Sequence, residues 1–236
     1  MTATVLLFDV DGTLVSTDGA GRKALSRAFQ RLFGRPDACD RIGFAGMTDR
    51  AIVRQALQAV GEADDPFSIE AVLEAYAENL DAALRETEKC RILPGVLQLL
   101  DQLAVQRGIG LGLGTGNIRR GAEAKLNRVG LVGRFAFGGF GCDAEDRTEL
   151  LRVGWGRGAA HFGVDVSETR LVVIGDTPKD VAAARALQAT SVAVATGGYT
   201  LEALQASGPD TLVPNLGVAE VWSAIISSLG PLGAHA

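Results

Sequence analysis

Apolar positions along this chain follow two rhythms. Short, nearly unbroken apolar runs occur at Thr4 to Phe8, Ile109 to Leu113, Leu171 to Ile174, Ser191 to Ala195 and Thr211 to Val213. Runs of this kind suit strands covered on both faces, as in a parallel sheet. Between them apolar residues recur at helical spacing, over Gly95 to Gln106, Ile118 to Val129, Thr148 to Phe162, Lys179 to Leu187, Leu201 to Ala206 and Val218 to Leu229. Gly108, Gly130 and Gly163 stand where helices end, and Pro178 stands where a first-turn proline is tolerated. Strands alternating with helices predict an α/β fold, a doubly wound, Rossmann-like parallel sheet.

One interval breaks the alternation. Between the first strand and the second, helical periodicity dominates, at Arg22 to Phe33, Asp49 to Val60 and Ile69 to Glu86, with Thr48 and Ser68 available as N-caps. This pattern predicts a helical domain inserted over residues 16–90 into a core made of 1–15 and 91–236. Its connections fall near Val15 to Asp18 and Lys89 to Pro94, so the insertion could swing over the strand ends.

Three polar clusters carry the candidate chemistry. The first strand ends in Phe8-Asp9-Val10-Asp11-Gly12-Thr13. Two carboxylates two residues apart leave the same face of an extended segment, and their mutual repulsion suits a hard divalent cation with oxygen ligands, Mg²⁺ above all. The second strand ends in Gly114-Thr115-Gly116-Asn117, where a hydroxyl, backbone N–H groups and a helix N-terminus can cradle an anion. The third cluster, Gly175-Asp176-Thr177-Pro178-Lys179-Asp180, adds two carboxylates at another strand end. Each also has a bland reading: an acidic turn, an Asn-capped turn, and a helix start whose dipole favours Asp180. All three, however, fall at the carboxyl ends of predicted parallel strands, where doubly wound sheets build their sites.

In this order the clusters resemble the haloacid dehalogenase superfamily, whose motifs run Asp-x-Asp-x-Thr, then Ser/Thr, then Lys/Arg, then an acidic Gly-Asp pair. The helical insertion is similar to that superfamily's C1 cap, as in its phosphoglycolate-phosphatase-like members. The resemblance implies a Mg²⁺-dependent phosphatase in which Asp9 becomes an aspartyl phosphate and Asp11 acts as acid and then base. It also implies that Asp9 and Asp176 hold Mg²⁺ through side chains, Asp11 through its backbone carbonyl, and Asp180 as a further partner. Gly12 and Thr13 complete the first motif and, with Thr115, Gly116 and Asn117, are the residues expected to hold the phosphate. The third motif departs from the commonest pattern, because no lysine occurs between Lys125 and Lys179. Arg147, at the start of a helix, is the expected substitute, with Arg152 in reserve. In the insertion, Phe44-Ala45-Gly46-Met47-Thr48-Asp49-Arg50 resembles a substrate loop, making Thr48 and Arg50 candidate substrate contacts; the same residues can equally be an N-capped helix start.

Composition narrows the function further. With 23 Lys+Arg against 28 Asp+Glu the formal charge is −5, and no basic cluster larger than an adjacent pair occurs, which speaks against nucleic acid as partner. Cys39, Cys90 and Cys142 are too few and too widely spaced for a disulfide framework or a zinc site. With no secretory signal pattern and no apolar run of membrane-spanning length, a cytoplasmic protein acting on a small phosphorylated metabolite is the expectation. Within the resembled superfamily a phosphosugar mutase is the alternative, since it uses the same two aspartates; a non-catalytic binding module is the rival of a different class. A dehalogenase would not be expected to keep Asp11, and a phosphonatase needs a cap lysine where the insertion has only Lys23 and Lys89 near its hinges. His161 and His235 have no evident partner.

Overall fold

The computed structural model describes residues 3–228. Six strands form one parallel sheet: β1 (Ala3–Phe8), β4 (Ile109–Thr115), β5 (Phe137–Phe140), β6 (Thr169–Gly175), β7 (Thr190–Val194) and β8 (Thr211–Val213). Their order is β5-β4-β1-β6-β7-β8, with the chain winding outward in both directions from a central β1. That central place explains why β1 is buried at every residue. Its side chains alternate between two cores. Leu6 and Phe8 join Val96, Leu99, Leu100 and Leu103 of α4 (Val96–Ala104), Ala122 and Leu126 of α5 (Arg119–Arg128), and Val221 and Ile225 of α9 (Ala219–Ser228). Val5 and Leu7 face Leu150 and Leu151 of α6 (Arg147–Phe162) and Ala183 and Ala184 of α7 (Pro178–Ala186). The short α8 (Leu201–Ala206) closes on β7 and β8 through Leu204. The α/β doubly wound fold is thus the one the apolar pattern predicts.

Helices α1 (Ala20–Phe33), α2 (Asp49–Val60) and α3 (Pro66–Arg85) pack on one another around Phe29, Leu57, Ile69, Tyr76 and Leu80, and Ile118 of the sheet unit joins the same cluster. The predicted N-cap Thr48 caps α2, accepting a bond from Ala51 N at 3.2 Å. The predicted Ser68 cap is displaced: α3 begins three residues earlier, with Asp65 accepting from Phe67 and Ser68 and Pro66 in the first turn.

Two features escape the periodicity. The chain enters and leaves the helical region through a ribbon in which β2 (Val15–Ser16) pairs antiparallel with β3 (Arg91–Ile92); strands of two residues leave no period to read. Edge strand β5 is the other. Its sequence, Phe-Gly-Gly-Phe, lacks the β-branched residues that mark a strand, because helix α6 lies directly against it. A Cβ at Gly139 would stand 1.8 Å from Leu150 O. His161 lies on α6 between the rings of Phe137 and Phe162, whereas Leu229 and His235 fall outside the described residues. No helix among the described residues is long and apolar enough to cross a membrane.

Candidate active site

The carboxyl ends of β1, β4 and β6 converge. Asp9, the residue after β1, donates its N–H to Ile174 O of β6 at 2.9 Å, so the two acidic strand ends are bonded to each other. Gly12 then turns the chain with φ +79°, and a Cβ there would sit 2.3 Å from Asp176 Oδ2, so only glycine fits between the loop and that carboxylate. Thr13, fully buried, donates to Asp176 Oδ1 at 3.4 Å.

Arg147 is the first residue of α6, placed by the Asp146 N-cap that accepts from Glu149 N. Its guanidinium reaches beneath the strand ends: Nη2 lies 3.2 Å from Asp9 Oδ1 and 3.3 Å from Gly114 O, while Nε donates to Asp180 Oδ1 at 2.7 Å. The other oxygen of Asp180 closes a capping box on α7, accepting from Thr177 N at 3.1 Å and Thr177 Oγ1 at 2.7 Å. Arg152, the reserve candidate, is elsewhere: its side chain is 56% exposed and pairs with Glu149 on the same helix.

Burial sets the electrostatics of these groups. It pushes the Asp9 carboxyl up to about 6, against the pull of Arg147 and with the help of Asp180 and Asp11. Asp176 rises to about 8, first by burial and then by repulsion from Asp9 and Asp180. The Arg147 guanidinium is held charged, since Asp180 and Asp9 outweigh its own burial. Asp9, Asp176 and Asp180 each bring one oxygen within 4.8 Å of the others. One buried guanidinium does not neutralise three such carboxylates, and an all-oxygen donor set with surplus negative charge fits a hard divalent cation. Asp180 fits less well than Asp9 and Asp176, because Arg147 and Thr177 already occupy its two oxygens.

Across the site, Asn117 ties the second cluster to the first. Its Nδ2 donates to Thr115 Oγ1 and to Asp11 Oδ2, both at 2.8 Å. Beside it is a residue that sequence reasoning missed. Lys125 of α5 is 4% exposed, and its Nζ lies 2.6 Å from Asp11 Oδ2 and 2.5 Å from Asn117 Oδ1. Burial pulls this ammonium toward neutrality, but Asp11, Tyr76 and Asp49 hold it charged. Burial likewise pushes Asp11 up, and Lys125, Asn117 and Thr17 together bring its carboxyl below the usual range. A signal was present: Ile118, Ala122, Lys125 and Val129 share one helical stripe, so a lysine sits in an otherwise apolar face.

The helical region covers this arrangement. Asp49 N donates to Gly116 O at 2.8 Å, Asp49 Oδ2 accepts from Ile118 N at 2.8 Å, and Arg54 reaches Glu145 with bonds of 3.1 and 3.0 Å. Between the two lies a cavity of about 330 Å³. Asp9, Asp11, Gly12, Thr115, Gly116, Asn117, Arg147 and Asp176 line one end, and Arg22, Leu25, Phe44, Ile52 and Tyr76 the other. Three expected substrate or phosphate contacts are not among its lining, Thr13 being buried against Asp176. Thr48 is spent on capping α2 and on a 3.2 Å bond to Glu145 O, and Arg50, one step into the helix, turns away to pair with Glu70. Arg22 supplies a cation at that end instead, donating to Ile42 O at 2.7 Å and stacked 4.0 Å over the Phe44 ring.

Comparison with known proteins agrees with this geometry: residues 6–194 match the family described as haloacid dehalogenase-like hydrolase. The chain belongs to the haloacid dehalogenase-like hydrolases. Among sequence relatives, this hydrolase is 30% identical over 216 residues to a phosphoglycolate phosphatase of Synechococcus elongatus, covering 88% of this chain and 91% of the relative. It is 28% identical over 236 residues to a phosphoglycolate phosphatase of Agrobacterium fabrum, covering 98% and 95% respectively. Its fold matches that of CbbY from Rhodobacter sphaeroides, solved with phosphate, at a TM-score of 0.69 and 19% identity, over 91% of this chain and 95% of that one.

Proposed function

We propose that this hydrolase is a phosphatase that cleaves a small phosphorylated metabolite, phosphoglycolate being the first candidate, through covalent phosphorylation of Asp9. The observation that carries the reading is the buried Arg147 lying against both Asp9 and Asp180 below a cavity that also presents Asp11 and Thr115. The names of the two sequence relatives support the substrate.

In this reading Asp9 attacks phosphorus and the bond to the leaving oxygen breaks. Arg147 keeps the attacking carboxylate oriented and charged, and its bidentate-capable fork suits a site shared by carboxylates and phosphate. The Thr115 hydroxyl and the amides of Gly116 and Asn117 hold the non-bridging oxygens. Asp11 gives a proton to the departing oxygen, then takes one from the water that attacks phosphorus and releases Asp9. Mg²⁺, held by Asp9, Asp176 and the Asp11 carbonyl with Asp180 outside them, would neutralise charge between Asp9 and the phosphate dianion. The helices of residues 16–90 act as a cap that excludes water from the cavity.

The test is direct. The purified protein with Mg²⁺ is expected to hydrolyse phosphoglycolate, and Asp9→Asn to lower turnover by at least about a thousandfold while the protein stays folded. Undiminished rates in excess chelator, or an Asp9→Asn variant within about tenfold of the unaltered protein, would overturn the reading.

A further inference from the structure

Lys125 is a buried cation for which phosphoryl transfer has no use, since Arg147 already supplies the cation beside Asp9. An ammonium this deep in a protein is costly unless it is paired and fully hydrogen-bonded. Lys125 meets that condition with Asp11 Oδ2, Asn117 Oδ1 and the Tyr76 hydroxyl, and with Asp49 as a further charge nearby. Asp49 and Tyr76 come from α2 and α3, so the helical cap itself completes the lysine's surroundings.

What Lys125 does to Asp11 is asymmetric. Oδ2 of Asp11 is capped by two donors, Lys125 Nζ at 2.6 Å and Asn117 Nδ2 at 2.8 Å. Oδ1 receives a long bond from Thr17 at 3.4 Å, and the side chain remains 41% exposed beside the cavity. Two strong donors on one oxygen fix the carboxylate's rotation and leave the other oxygen to the cavity. A proton carrier needs such fixing, because transfer requires hydrogen-bond distance to the reacting oxygen in one defined pose.

We propose that Lys125 is the positioning residue for Asp11, anchoring Oδ2 so that Oδ1 carries the proton in both half-reactions. The proposal rests on the phosphatase reading above. In the first half-reaction the P–O bond to the leaving group breaks as Asp9 bonds to phosphorus, and the proton on Oδ1 passes to the leaving oxygen. In the second, Oδ1 takes a proton from water, the water oxygen bonds to phosphorus, and the bond from phosphorus to Asp9 breaks, freeing phosphate, restoring the Asp9 carboxylate and returning to Asp11 the proton it gave up.

The two half-reactions supply the test, because 4-nitrophenolate leaves without needing a proton whereas the second step always needs the base. With 4-nitrophenyl phosphate, Lys125→Met is expected to retain a near-stoichiometric burst of nitrophenolate at a rate within about threefold of the unaltered protein's first turnover. The steady rate that follows is expected to be at least about a hundredfold slower, with KM for phosphoglycolate little changed. Lys125→Arg, which keeps the charge, should recover at least about a tenth of the lost rate. Lys125→Gln stands in if the methionine variant does not fold. Burst and steady rate falling together, or a steady rate near that of the unaltered protein, would overturn the positioning role, as would failure of all three variants to fold. No hydrolysis of either ester by the unaltered protein fails the phosphatase reading itself, before any variant is made.

Discussion

Arg147 carries two burdens at once, and a single substitution separates it from its former rival. It lies buried between Asp9 and Asp180, so Arg147→Ala leaves two buried carboxylates without their cation. Removing one partner of such a group costs about 3 kcal/mol or more, and turnover should fall with it. Arg152→Ala, on the exposed face of the same helix, should shift stability by less than about 0.5 kcal/mol and leave kcat unchanged. Urea unfolding and steady-state kinetics on both variants check this, with Arg147→Lys recovering part of the rate because it restores charge without the fork. This residue was legible because a missing lysine forced the choice of an arginine at a helix start. Lys125 was not, because an apolar stripe leads the eye to its hydrophobic members and past the cation among them. Arg50 misled for a local reason: each step along a helix turns the side chain by about 100°, so a residue just inside α2 leaves the cavity that the loop before it lines.

Elements were legible in proportion to their apolar content. Helices α2 and α8 and strand β8 fall where the periodicity puts them, and the other predicted elements differ at their described ends by a few residues at most, where caps decide the boundary. Strand β5 was hidden by the same glycines that make it possible. The closest approach in that seam is backbone on backbone, Gly139 against Leu150 O and Gly154 N, so no side-chain rotation can relieve an added methyl. Gly139→Ala is therefore expected to destabilise the protein by about 2 kcal/mol or more, although alanine suits a strand no worse than glycine does. A thermal melt of that variant beside Gly133→Ala, at a position with open space, measures the difference. Because α6 carries Arg147 at its first turn, a shift of the helix off β5 should also be felt as lost turnover.

For the whole molecule the balance of buried charge sets the response to pH. Asp9 and Asp49, both raised to about 6, and Asp176, raised to about 8, bind protons more tightly folded than unfolded, where all three titrate near 3.8. Their contribution to stability is therefore complete below about pH 4 and is lost as pH rises through 6 and then 8. The protein stripped of divalent cations should melt at a lower temperature at pH 8 than at pH 5. If Asp9 and Asp176 hold Mg²⁺ as proposed, the ion would compete with protons for them, and added Mg²⁺ should raise the melting temperature more at pH 8. Equal melting temperatures at both pH values, or no response to the ion, would count against this balance.

The ribbon of β2 and β3 gives the covering helices a mechanical character of their own. Two independent linkers would let them tumble about many axes; two strands bonded side by side leave chiefly a rotation about the line between them. The pairing extends past the ribbon, with Leu93 N bonded to Leu14 O at 3.0 Å and Gly12 N to Val15 O at 2.9 Å. The axis is thus anchored in the very turn that follows Asp9 and Asp11. In the capping arrangement proposed above, the helices cannot lift without a torque on that turn, so admitting a substrate and aligning the carboxylates that meet it become one displacement.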